Sequence, residues 1–170
     1  FEFAQADPRV QEEVWGEDPD TWIASPYAFI GRAKRVEGGF ILNGQWPFSS
    51  GTDHCEWVVL GGRAEKEGGP ADEFTEPYHF ILPRADYEIL QDSWKVMGLA
   101  GTGSKDVVVK DAFVPTYRTL EVGKLNSREY ASKYRPESPL YQVPFDLLFP
   151  GAIAAATSGI ADGVVRHFSD

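Results

Sequence analysis

Residues 27–51 read YAFIGRAKRVEGGFILNGQWPFSSG, and the fold turns on how this stretch is parsed. Residues 27–36 and 40–48 carry β-branched and aromatic side chains. Glu37-Gly38-Gly39 between them offers a tight reversal, because glycine reaches positive φ without a Cβ clash. The stretch therefore reads as a hairpin. Working outward, further short runs of strand character fall at residues 56–61, 78–82, 94–97, 106–109 and 117–122, each bounded by Gly, Pro or Asp. Seven such strands predict an antiparallel barrel or sandwich. Residues 66–76 are polar and contain Gly and Pro, as a solvent-exposed hairpin tip would.

The ends of the chain have another character. Residues 8–15 read as the end of a helix, with Val10 and Val14 four apart, Glu12 and Glu13 outside, and Gly16 as a stop. Residues 124–144 hold Pro136, Pro139 and Pro144, many charges and no period, as in a connecting loop. Ile153, Ala156, Ile160, Val164 and Phe168 then recur at helical spacing, with Pro150 suited to the first turn. Gly151, Ala155, Gly159 and Gly163 form a second stripe four apart, a ridge that lets another helix approach closely. The expected organisation is α+β: residues 1–24 as the end of an N-terminal helical domain, 25–122 as a middle β-barrel domain, 123–147 as a connecting loop, and 148–170 as the first helix of a C-terminal bundle. A chain that starts at Phe1 and stops in a helical pattern reads as a piece of a longer polypeptide.

Composition narrows the function. Sixteen Lys and Arg against 26 Asp and Glu give a net charge of −10, and no basic stripe breaks that acidity, which argues against nucleic acid as a partner. No run of about 18 apolar residues is present and Asp162 and Arg166 interrupt the last helix, so no membrane span is expected. Cys55 is the sole cysteine, so no internal disulfide forms and a reducing, cytoplasmic setting is expected.

The segment richest in chemistry is GQWPFSSGTDH, residues 44–54. Here a strand ends in two hydroxyls and a glycine after two aromatic rings. Trp46 or Phe48 could wall a planar ligand that hydrogen-bonds Ser49 and Ser50; equally, the rings could fill a core and the serines cap a turn. Ser50, Asp53 and His54 do not make a hydrolase triad, since three groups within five residues of a turn cannot face one another in sequence and no G-x-S-x-G elbow exists. GLAGTGS at residues 98–104 lacks dinucleotide and P-loop spacing, and strand rather than helix character follows it. It reads as a tight bend whose amides could meet a phosphate. His54, His79 and His167 have no metal-ligand spacing, and no metal is expected.

Four blocks taken together carry a resemblance: QEEVWGEDP at 11–19, GQWPFSSGTDH at 44–54, GLAGTGS at 98–104 and VVKDAFVP at 108–115. In this order they resemble the oxygenase component of two-component flavin-dependent aromatic hydroxylases, the group of the seco-steroid phenol and p-hydroxyphenylacetate hydroxylases. The resemblance covers nearly all of the chain and implies the acyl-CoA dehydrogenase fold, with a β-barrel between helical domains. It also implies reduced FMN, or else FAD, supplied by a separate NADH-dependent reductase. Molecular oxygen would add at the flavin C4a position and a phenolic substrate would be hydroxylated. A homotetramer is further implied. Carried over by position, Ser25, Pro26 and Tyr27 line the flavin and substrate pocket, while Phe48, Ser49 and Ser50 contact the isoalloxazine. Ser50, with Ser49 second, would donate to flavin N5, and Tyr27 would bond or wall the phenol. The family's catalytic histidine, its acidic neighbour and a phosphate-binding arginine would lie beyond residue 170. One departure within the chain stands out: Ala100 replaces the arginine usual in the GLRGTGS block. Trp46-Pro47-Phe48-Ser49-Ser50 stands where acyl-CoA dehydrogenases typically carry a W-I-T/S pattern, which favours the hydroxylases over them. An FAD-dependent acyl-CoA dehydrogenase and a non-catalytic interaction module are the alternative readings.

Overall fold

The computed structural model describes residues 1–66, 69–73 and 75–169, so the hairpin tip expected at residues 66–76 lies partly outside the described residues. Residues 6–123 form one compact unit; residues 1–5 with 124–170 form a second.

Among the described residues the first unit holds helix α1 (Pro8–Trp15) and eight strands: β1 (Ile23–Ala24), β2 (Gly31–Val36), β3 (Gly39–Ser49), β4 (Trp57–Ala64), β5 (Pro77–Pro83), β6 (Glu88–Leu90), β7 (Lys105–Pro115) and β8 (Thr119–Glu121). They make a single sheet in the order β6-β7-β3-β2-β4-β5-β8, with β1 alongside β4. The opening hairpin forms as expected, Val36 pairing with Gly39 across Gly38 at φ 79°. The closed antiparallel barrel does not: the ladder is open and mixed. β3 returns the chain to the end at which β2 began, so β4 must climb the free edge of β2 in the parallel sense, Gly31 opposite Gly62. β1 is parallel to β4 as well.

The sheet nevertheless curls. β7 and β8 lie five strands apart along the path, roughly 24 Å if the sheet were flat. Only Thr116–Arg118 link them, a span of at most about 15 Å. β7 and β8 are therefore drawn together, and the 116–118 turn touches both β3 and β5. Inside the curl lies the core, with Leu42, Trp46, Val58, Leu60, Phe80, Leu82, Val107 and Val109 all buried in one cluster.

Two strand expectations fail. Residues 94–97 are a loop, with Val96 and Met97 exposed. The strand that pairs with β7 is β6, where Ile89 is buried between the outward Glu88 and the half-buried Leu90. Residues 27–30 precede β2 and are not part of it.

α1 is built as its residues suggest. Asp7 caps it by accepting from the Arg9 amide at 3.0 Å, Pro8 opens it, and Val10 and Val14 are buried. Its outer face is tied down by Glu13, whose carboxylate accepts from Tyr117 Oη at 2.6 Å and Arg118 Nε at 2.7 Å.

In the second unit, residues 123–147 carry helical turns within the expected loop. α2 (Val122–Asn126) straddles the boundary, and α3 (Glu129–Tyr134) packs beside residues 2–5. α4 (Phe145–Ser169) begins earlier than expected, so Pro150 sits inside the helix rather than in its first turn. Its missing N–H leaves the Asp146 carbonyl without an intrahelical donor. No residue of α4 is buried, and Asp162 and Arg166 pair at 2.9 Å. Contrary to the composition argument, α4 is long and apolar enough, by length and composition, to cross a membrane.

Candidate functional site

The two glycine- and serine-bearing motifs meet at one corner of the sheet. β3 and β7 pair in register from Gly44 opposite Val109 to Trp46 opposite Val107, past an earlier shift between Leu42 and Gly44; the next pair is Ser49 opposite Lys105, so β3 spends three residues where β7 spends two. Pro47, with no N–H to give the ladder, sits in this bulge. The extra residue inverts the alternation beyond it. Phe48, which would otherwise share the inward face of Trp46, turns out to solvent at 68% exposure and φ 62°, while Ser49 turns in and is fully buried. A left-handed φ at a bulky residue is strained backbone, held here by the structure around it.

Past the bulge the chain turns on Gly51 at φ 72°, and the Gly51 amide donates to the Thr102 carbonyl at 2.9 Å. That bond joins the 44–54 motif to the 98–104 loop. Three hydroxyls then line up: Ser50 Oγ lies 2.7 Å from Ser104 Oγ, Ser104 Oγ lies 2.7 Å from Thr102 Oγ1, and Thr102 Oγ1 donates to the Leu99 carbonyl at 2.9 Å. Leu99 and Gly103 take left-handed φ of 59° and 52° to wind the loop around this chain. Above it the Phe48 ring meets Trp94 edge-on, centroids 5.9 Å apart. Phe48, Val96, Met97 and Leu99 are all exposed, apolar side chains left to solvent in these two motifs and the segment leading into the second.

Charges brace the corner from one side. Lys105 Nζ donates to Asp53 at 2.6 Å and to Gln91 at 2.5 Å. The Lys105 hydrogen bond holds the Asp53 carboxyl below its ordinary range. Below, Cys55 is buried and its Sγ contacts the Gly51 carbonyl at 3.3 Å. Burial raises the Cys55 thiol pKa and pushes Tyr87, whose hydroxyl donates to the Cys55 carbonyl, up to about 12. Among the described residues no group of three or more His, Cys, Asp or Glu is placed to hold a metal ion.

The expected site residues thus separate. Ser50 and Phe48 face outward at the corner; Ser49 faces inward, its Oγ buried without a hydrogen-bond partner. Trp46 is core rather than a ligand wall: fully buried, it donates from Nε1 to Gly61 O at 2.7 Å and Ala28 O at 3.1 Å. Ser25, Pro26 and Tyr27 run beside β4, where the Pro26 carbonyl accepts from the Gly61 amide at 3.3 Å. Ser25 is exposed and Pro26 buried, and the Tyr27 ring lies 4.9 Å from that of buried His79 on β5. Sequence reasoning missed Trp94, Thr102 and Ser104. The Thr-Gly-Ser ending of the 98–104 block was the available signal, hydroxyls in a glycine-rich loop next to a serine-ended strand.

No family model matches the chain. Individual proteins do. It is 48% identical over 170 residues to a pigment production hydroxylase of Rhodococcus erythropolis, covering 100% of this chain and 43% of that one. It is 43% identical over 163 residues to the flavin-dependent monooxygenase oxygenase subunit HsaA of Mycobacterium tuberculosis, 96% of this chain and 40% of that one. It is 31% identical over 163 residues to the oxygenase component of an FADH2-dependent resorcinol hydroxylase of a Rhizobium species, 94% of this chain and 38% of that one. The crystal structure of 3-HSA hydroxylase from Rhodococcus sp. RHA1 superposes with a TM-score of 0.84 at 41% identity, over 94% of this chain and 40% of that one. The chain spans about two fifths of the length of the curated relatives it matches. Along its whole length, in sequence and in the fold of its sheet and helices, this chain is similar to a segment of flavin-dependent monooxygenase oxygenase subunits.

Proposed function

We propose that this chain forms one wall of a reduced-flavin site in the oxygenase component of a two-component monooxygenase that hydroxylates a phenolic substrate with molecular oxygen. A separate NADH-dependent reductase would deliver the reduced flavin. The observation that carries this reading is the corner where the 44–54 and 98–104 motifs meet: an aromatic edge from exposed Phe48 and half-buried Trp94 beside the outward hydroxyl of Ser50. A flavin ring system is planar and apolar on its faces and polar at its edge. The donor and acceptor set at the corner fits that description. When bound, a reduced flavin supplies the electrons that activate dioxygen for insertion of one oxygen atom. The protein's part is to hold the ring against Phe48, to present Ser50 Oγ to its N5 edge, and to keep water away with the exposed apolar side chains of Val96, Met97 and Leu99.

Ser50 rather than Ser49 is the flavin contact in this reading, because Ser49 faces the interior. Ser25, Pro26 and Tyr27 belong to the substrate side of the pocket, with Tyr27 oriented through its packing on His79. FAD is favoured over the FMN first implied by resemblance, since the resorcinol hydroxylase relative is FADH2-dependent. Residues 25–122 act as the middle domain between an N-terminal helical domain ending at residue 24 and, after the 123–147 connection, a C-terminal bundle that α4 begins. The exposed small-residue ridge of Gly151, Ala155, Gly159 and Gly163 and the Asp162–Arg166 pair support that bundle rather than a membrane span, and a cytoplasmic homotetramer follows the same pattern.

The test uses the full-length protein. Anaerobic titration with reduced FAD should show binding, and admission of oxygen with a phenol should yield the hydroxylated product. Flavin reduced by an acyl-CoA thioester, with no hydroxylation of any phenol, would overturn the proposal.

A further inference from the structure

We propose that Ser104 and Thr102 are positioning residues that fix the direction of the Ser50 hydroxyl, making Ser50 Oγ an acceptor toward its ligand rather than a donor. This rests on the proposed flavin site and deepens it. The argument is a count of hydrogens. Each serine or threonine hydroxyl carries one. The Leu99 carbonyl can only accept, so Thr102 spends its hydrogen there, at 2.9 Å. In the 2.7 Å contact between Thr102 and Ser104, Ser104 must then donate. Ser104 has none left for the 2.7 Å contact with Ser50, so Ser50 donates to Ser104. The relay is anchored at a backbone carbonyl and points one way. Ser104 is 4% exposed, so no solvent competes for its hydrogen. What Ser50 offers outward is a lone pair.

A lone pair distinguishes the redox states of a flavin. N5 carries a hydrogen in the reduced form and donates; in the oxidised form N5 is itself an acceptor and meets the lone pair unfavourably. The relay therefore biases this corner toward the reduced cofactor, which suits a subunit that must take reduced flavin from elsewhere and release it once oxidised. It reverses the sequence-based expectation that Ser50 donates to N5.

The test is the ratio of dissociation constants for oxidised and reduced FAD, measured anaerobically on the full-length protein and its variants. Wild type should bind the reduced form more tightly. Ser104→Ala frees the Ser50 hydroxyl to rotate and donate, and the ratio should fall about three- to tenfold, the range of one hydrogen bond. Thr102→Val removes the relay's other support and should act in the same direction, so a folding defect in one variant leaves the other to decide. Ser104→Thr keeps the hydroxyl and should restore the wild-type ratio. If Ser50→Ala changes the ratio while Ser104→Ala and Thr102→Val leave it within about twofold, the relay is refuted and the flavin site stands. If Ser50→Ala changes nothing either, Ser50 does not face N5, and the relay fails with it. If wild type binds neither form, the proposed function itself is refuted.

Discussion

Replacing Trp46 with phenylalanine should destabilise the chain far more than an aromatic-for-aromatic exchange in a strand usually does. The indole is fully buried, and two structural roles depend on it, one on its N–H and one on its six-membered ring. Its Nε1 bonds Gly61 O at 2.7 Å and Ala28 O at 3.1 Å, stitching β3 to β4 and to the segment leading into β2. Its edge also fills a slot that Gly44 leaves open, since a Cβ there would lie 2.6 Å from Cη2. Phenylalanine loses the one indole N–H that the two carbonyls share, about 0.5–1.5 kcal/mol. It also leaves roughly 40 Å³ unfilled, which at about 24 cal/mol per Å³ adds ~1 kcal/mol. The expected loss is about 1.5–2.5 kcal/mol. Urea unfolding read by tryptophan fluorescence and by far-UV circular dichroism checks it, provided both probes give one transition and the m-value is unchanged. A loss below about 1 kcal/mol would refute the claim that the indole nitrogen is structural and would reopen Trp46 as a ligand wall.

Other substitutions probe the same physics. Phe48→Gly should leave the urea midpoint unchanged or raise it slightly, because it relieves a left-handed φ of 62° at a side chain that is mostly exposed; a loss above about 1 kcal/mol would mean the ring packs more than it shows. Burial pushes the Glu13 carboxyl up, but hydrogen bonds from Arg118 and Tyr117 outweigh it and hold the folded pKa below the ordinary value. Its contribution is therefore present above the unfolded pKa and lost as pH falls through the depressed folded one. Glu13→Gln should flatten the acid limb of a stability–pH curve and leave the slope above pH ~6 unchanged. Cys55, buried and with its thiol raised by that burial, should react with a disulfide reagent at mild alkaline pH at least about tenfold more slowly than in the urea-unfolded chain; equal rates would show the corner to be open. Asp7→Ala removes the cap of α1 and should cost about 1 kcal/mol by urea midpoint.

The strands whose apolar residues alternate or run unbroken were legible: β2 to β5, the first part of β7, and the hairpin at Gly38. Strand direction was not, because a pattern of side chains says which face is inward and nothing about which edge a strand will join. That β4 runs parallel to β2 is a consequence of where β3 leaves the chain, known only once the hairpin is laid down. β6 and the 94–97 loop were exchanged for a related reason. Trp94, Val96 and Met97 look like strand residues by propensity, yet propensity reports a preference for half-buried surface, and these three stand at the exposed corner instead. Residues that favour burial but are left outside are those a ligand or a neighbouring chain segment has reason to cover.

The serine pair shows the limit most sharply. In a regular strand, Trp46 and Phe48 share one face and Ser49 the other, so alternation alone would turn Phe48 inward and Ser49 outward. The bulge at Pro47 adds one residue and exchanges the two assignments, leaving Phe48 outside and Ser49 within. Proline marks where a bulge is tolerated but does not require one; the register is set by β7, whose Val107 and Lys105 lie some sixty residues away in sequence. The same distant segment supplies Ser104 and Thr102. Which serine faces out and which way its hydrogen points are thus both decided by the 98–104 loop and the strand that follows it. A substitution in that loop that left every residue of the 44–54 motif untouched would still be expected to change what the motif can bind.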